Sequence, residues 1–152
     1  MRLVALASII ALLALHTHSP VRADQPMTFR QLIDRSPGYR ATWKAITAEI
    51  GPGDKEGRFL RVLNGPATQM HSTTDAGRHL SVGYVCEIHN CDANSVIVVI
   101  EPSTSRMYAV QRRRIDVPLR YRFFGRPDRT MQAVLVRQAE LGDLPQRDRS
   151  RP

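Results

Sequence analysis

Leu80-Ser81-Val82-Gly83-Tyr84-Val85-Cys86-Glu87-Ile88-His89-Asn90-Cys91 is the stretch from which the fold is read. Leu80, Val82 and Tyr84 alternate with Ser81, Gly83 and Val85, the two-residue period of an extended chain with unlike faces. The strand runs into a segment bracketed by the chain's only two cysteines, with a histidine between them. Val96 to Ile100 follows as an unbroken β-branched run, the mark of a strand buried on both faces. Pro102-Ser103-Thr104-Ser105 reads as a turn and Met107 to Val110 as the next strand. Strands joined by so short a turn are antiparallel.

Outward from this hairpin, the basic run Arg112-Arg113-Arg114 leads to Tyr121-Arg122-Phe123-Phe124, expected as the last strand. The triplet reads as a solvated strand end. Pro127-Asp128 opens a closing helix in which Met131, Val134 and Leu135 share a face. On the other side, Thr28 can cap a turn carrying Phe29, Leu32 and Ile33. Ser36 then caps a second helix with Pro37 at its first position, where the missing N–H costs nothing. Tyr39, Trp43, Ile46 and Ile50 recur at helical spacing, and Gly51-Pro52-Gly53 is expected to end the helix. Trp43, the only tryptophan, lies on that stripe and reads as core. Phe59 to Leu63 precedes the break Asn64-Gly65-Pro66. Helices, then strands, then a helix point to an α+β fold, an antiparallel sheet covered by helices.

Met1-Arg2, the apolar run Leu3 to Leu15 and the small-residue site Val21-Arg22-Ala23 form the three-part pattern of a cleavable signal peptide over residues 1–23. About 13 apolar residues are too few to span a bilayer, which needs roughly 20. The expected product is an exported protein, folded in an oxidising space and not membrane-embedded, with one domain over 24–144. The charged, proline-flanked segment 145–152 reads as a disordered tail. The chain carries 22 basic and 14 acidic residues, a net charge of +8, nearly all of it from arginine. An exported protein rarely meets nucleic acid, so that class is set aside in favour of anionic envelope polymers or an acidic protein cleft.

If Cys86 and Cys91 pair, they close a small ring that presents His89 as a polar tip able to change charge near neutral pH. Such a bridge stabilises by only about 2 kcal/mol on the chain-entropy model. Its larger effect is to remove an ordering cost of about 0.5–1.5 kcal/mol per immobilised side chain from any binding step. Three other readings stay open at this level. The cysteines with His89, joined by His71 or His79, could form a small zinc site, although the four-residue gap is wide and no second cysteine pair exists. A thiol redox centre would show two intervening residues at a helix start. A structural staple with an incidental histidine is the third. Catalysis has little support: the chain has no Gly-rich phosphate loop, serine elbow or metal-binding helix motif, and no catalytic residue, metal or cofactor is expected.

Beside this reading, the chain resembles the family of periplasmic inhibitors of vertebrate lysozyme. Thr28 to Leu32 with Pro37 to Lys44 resembles the family's opening helices, and Gly65-Pro66-Ala67 its mid-chain loop. Cys86-Glu87-Ile88-His89-Asn90-Cys91 falls on its disulfide-closed inhibitory loop. Asn94 to Val110 resembles the strands that follow, and Phe124 to Asp128 the turn into the last helix. The resemblance implies a central antiparallel sheet of about five strands, a protruding loop closed by Cys86–Cys91, and a homodimer. It implies a binding protein, not an enzyme, whose loop residues Glu87, Ile88, His89 and Asn90 enter the cleft of C-type lysozyme or a related peptidoglycan-cleaving enzyme. The family's loop is usually Cys-Lys-Pro-His-Asp-Cys; here Glu87 stands for lysine, Ile88 for proline and Asn90 for aspartate. A negative Glu87 facing an acidic cleft implies that Glu87→Lys strengthens inhibition. The departures also bring the cell's own lytic transglycosylases into view as targets.

Overall fold

The computed structural model describes residues 26–55, 57–114 and 119–142. The expected leader at 1–23 and tail at 145–152 lie outside them. The element order is α1 (Phe29–Arg35), α2 (Pro37–Ile46), α3 (Arg58–Val62), β1 (His71–Asp75), β2 (Arg78–Cys86), β3 (Asn94–Glu101), β4 (Arg106–Arg114), β5 (Leu119–Phe124) and α4 (Arg129–Gly142). The five strands follow one another across the sheet in sequence order, every neighbour antiparallel. The expected α+β architecture is therefore what forms.

β3 is the middle strand, and its run Val96 to Ile100 is buried on both faces, as the β-branched composition requires. Val96, Val98 and Ile100 face α1, α2 and α3 in a core with Phe29, Trp43, Phe59, Leu60, Met107 and Phe124. Ile97 and Val99 face α4 in a second core with Leu80, Val82, Val110, Met131, Val134, Leu135 and Ala139. Trp43 packs edge-on against Phe29 with ring centroids 5.0 Å apart, and its indole N–H donates to the Leu60 carbonyl at 3.0 Å. A buried indole needs such an acceptor.

Local signals account for the starts of α1, α2 and α4, although Ser36 takes the cap position of α2 without a side-chain hydrogen bond. Thr28 caps α1 in a reciprocal box with Gln31, each side chain bonding the other's backbone N–H. Pro37 takes the first position of α2. Asp128 receives the Met131 amide at 2.7 Å in front of α4.

Two expectations are corrected. α2 ends at Ile46 rather than at Gly51, because the Thr47 hydroxyl donates back to the Trp43 carbonyl at 2.7 Å and competes with the ladder. Ile50 still reaches the core, from the turn beyond the helix. Arg112 is not a solvated strand end: β4 runs on to Arg114 and carries Arg112 to 2% exposure. The segment His71–Asp75 forms an edge strand paired to β2. It is polar on both sides, so no apolar alternation marks it.

Candidate functional site

Cys86 is the last residue of β2 and pairs with Ser95 on β3, so the segment between them is the connection of a hairpin. The sulfurs of Cys86 and Cys91 are bonded, with Cα atoms 4.8 Å apart. Both sulfurs being spent in that bond, the reading of two thiolates binding zinc with His89 is overturned. Cys86 is buried at the sheet's end, Cys91 is half-buried, and Ile88, His89 and Asn90 stand in solvent.

The loop's shape follows from its backbone bonds. The Glu87 amide donates to the Asn94 carbonyl at 2.9 Å, which extends the ladder one residue past the strand. The Asn90 amide donates to the Glu87 carbonyl at 3.0 Å and closes a four-residue turn. His89, at the third position of that turn, has φ 60. A positive φ there is the mark of a type II turn, whose second position favours proline and here holds Ile88. Histidine is among the few non-glycine residues enriched in the left-handed region. The amides of Ala93 and Asn94 then both donate to the Asn90 carbonyl, at 3.1 and 2.8 Å, and return the chain to β3.

Glu87 is half-buried, and its carboxylate is engaged within the loop. Its carboxylate accepts from the Asn90 side-chain amide at 2.7 Å and from that of Asn94 at 3.1 Å. Asn94 in turn accepts from the Gln111 amide at 2.9 Å, and both of those residues are buried. The negative charge sits at the foot of the loop and the imidazole at its crest.

The other side of the foot is the segment Pro66 to Thr68, which lies along β2. The Cys86 amide donates to the Pro66 carbonyl at 2.9 Å, and the Thr68 amide to the Tyr84 carbonyl at 3.1 Å. On the sheet face beside Asn94, Arg113 lies opposite Arg120 with Arg122 next to it. Burial holds Arg113 below the ordinary arginine range, with the like charges of Arg120 and Arg122 acting in the same direction. Asp54 answers them: its hydrogen bond from Arg122, at 2.6 Å, and one from the Gly57 amide hold its carboxyl below the usual range.

The expected site residues thus assemble: Cys86 and Cys91 close the ring, and Ile88, His89 and Asn90 form one exposed tip. His71 and His79 lie elsewhere, in β1 and β2, with the His79 ring on the Thr74 hydroxyl at 3.1 Å. A groove of about 420 Å3 among Met27, Leu32, Tyr39, Met70 and Ile100 shares no residue with the loop. Asn94 and Gln111 were not singled out from the sequence. Their only signal is a polar residue on each of β3 and β4 at the loop end of their pairing, beside the apolar positions Val96, Val98 and Ala109.

A family model described as inhibitor of vertebrate lysozyme (Ivy) matches residues 38–139. A Pseudomonas aeruginosa protein named inhibitor of vertebrate lysozyme is 29% identical over 149 residues, covering 91% of this chain and 93% of the relative. An uncharacterized protein of the same organism is 26% identical over 135 residues, covering 78% of this chain and 81% of the relative.

Proposed function

The chain belongs to the family of inhibitors of vertebrate lysozyme, and from that premise we propose that it is a periplasmic protein inhibitor whose Cys86–Cys91 loop plugs a peptidoglycan-cleaving active site. Its members are inhibitors and not enzymes. The observation that carries the reading is His89: an exposed imidazole at the crest of a covalently closed, hydrogen-bonded turn.

The chemistry is coherent with that target. A C-type lysozyme cleft holds one carboxylic acid and one carboxylate a few ångströms apart. An imidazolium between them makes charge-assisted hydrogen bonds, roughly twice as strong as neutral ones, and occupies the sugar's place. Ile88 and Asn90 flank the ring and meet the cleft walls. The turn is set before binding, so little ordering cost falls on association. Protection of the cell's peptidoglycan follows from the blocked cleft. The disulfide supports an oxidising compartment, in line with the leader-like N-terminus.

A second reading keeps the loop and changes the target to the cell's own lytic transglycosylases, because Glu87, Ile88 and Asn90 depart from the family's usual loop. Inhibition constants of the purified protein against C-type lysozyme and a lytic transglycosylase decide between them. Inhibition of neither enzyme sinks both. Sedimentation of the same sample tests the homodimer that the family resemblance implies, and the N-terminal sequence of the exported protein tests cleavage before Asp24.

A further inference from the structure

The disulfide alone does not determine where His89 points, since a six-residue ring on a free hinge could swing. Two contacts oppose that swing from opposite sides. On one side, a Cβ placed on Gly65 would stand 1.7 Å from the Cys86 carbonyl oxygen and 2.9 Å from the Ile88 amide nitrogen. Carbon atoms cannot come so close to backbone, so only glycine lets the Gly65–Pro66 segment lie flat under the root of the ring. The requirement is one of space and not of conformation, because Gly65 does not have a positive φ. On the other side, the chain of hydrogen bonds Glu87–Asn94–Gln111 ties the loop to a buried residue of β4.

We propose that Gly65 and the Asn94–Gln111 pair are positioning residues for His89, a two-sided clamp that sets the direction in which the loop leaves the sheet. This deepens the inhibitor reading and rests on it for its functional consequence. A methyl group at position 65 must push the Cys86–Ile88 backbone away, and backbone contacts of this kind do not yield cheaply. The imidazole, at the far end of the lever, moves farther than the root does.

Gly65→Ala is the first test and Gly125→Ala its control. Gly125 lies at the opposite end of the sheet, where an added Cβ would stand 2.4 Å from the Met107 carbonyl oxygen. Both variants lower the melting temperature. Only Gly65→Ala is expected to weaken inhibition, by tenfold or more, and to lower the 15N order parameters of the amides of residues 88–90. Should Gly65→Ala not fold, the surface pair Glu87→Ala and Glu87→Gln replaces it. The alanine cuts the tie to Asn94 and loosens the loop, whereas glutamine keeps an acceptor oxygen and rescues it. Unchanged loop order and inhibition in Gly65→Ala, or equal losses of inhibition in the two glycine variants, overturn the clamp. So do equal effects of the two Glu87 variants. If His89→Ala is silent while Gly65→Ala still loosens the loop, the clamp stands and the plug reading alone falls.

Discussion

His89 carries two separable burdens, a ring that meets the partner and a backbone in the left-handed region. His89→Ala removes the first and leaves a residue poorly suited to the second, whereas His89→Asn removes the ring and keeps a side chain that tolerates positive φ. We expect both to weaken inhibition by at least about thirtyfold, the scale of a buried hot spot worth roughly 2 kcal/mol, with His89→Asn losing less thermal stability. Wild-type inhibition by His89→Asn would exclude the imidazole from the mechanism. Ile88 sits where a type II turn accepts proline, so Ile88→Pro is expected to tighten inhibition two- to fivefold by trimming the freedom of the unbound loop, about 0.4–1 kcal/mol. A slower or weaker Ile88→Pro inhibitor would mean that the isoleucine itself fills a pocket. Glu87 changes standing once its partners are known. Its charge reads as a repulsion awaiting removal, but the carboxylate holds Asn90 and Asn94. Glu87→Lys therefore gives up the brace along with the repulsion and is expected to inhibit less well than wild type, while Glu87→Gln inhibits at least as well. A Glu87→Lys inhibitor tighter than wild type would restore the simpler electrostatic view.

At the scale of elements, the β1–β2 hairpin turns on Ala76 and Gly77, both at positive φ, 50 and 72. That pair of values is the signature of a type I′ turn, which favours Asn-Gly. Alanine has no means of easing the left-handed backbone, so Ala76→Asn should raise stability by about 0.5–1 kcal/mol, a few degrees in Tm. A lower melting temperature would show that the turn is held by its strands rather than by its own residues. This hairpin also marks the limit of reading by periodicity. The strands at Leu80–Val85, Val96–Ile100 and Met107–Val110 were legible because burial demanded apolar residues there. His71–Asp75 was not, because an edge strand facing solvent carries no such demand. α2 was overextended for the related reason that Ile50 continues the apolar stripe after the backbone has left the helix.

Across the whole molecule, acidic side chains tie distant elements together. Asp54 meets Arg122 of β5, and Asp75 of β1 meets Arg137 and Gln138 of α4. The Arg137 hydrogen bond foremost, with help from Gln138, holds the Asp75 carboxyl below its usual range. In the unfolded chain both carboxyls titrate at their ordinary value of 3.8. In the folded chain they titrate lower, so the folded state binds fewer protons near that pH. Their stabilisation is complete above the unfolded value and is lost as the pH falls through the folded values. Denaturant unfolding measured from pH 7 downward should thus stay level and then decline below about pH 4. In Asp54→Asn/Asp75→Asn the acid limb should be shallower. An unaltered limb would assign acid sensitivity to other groups.

The order and kind of most elements, the cysteine-bracketed loop and its histidine were determined by the sequence itself. Hydrophobic period, caps and turn residues act between near neighbours and leave their mark in the chain. What only the tertiary structure decided is the standing of the residues that hold the loop. Glu87 became a brace and Gly65 a contact surface, while Asn94 and Gln111 became buried partners 17 positions apart. Hydrogen bonds and close approaches between segments depend on which strands lie side by side. A single position in a sequence carries no record of what the fold sets against it.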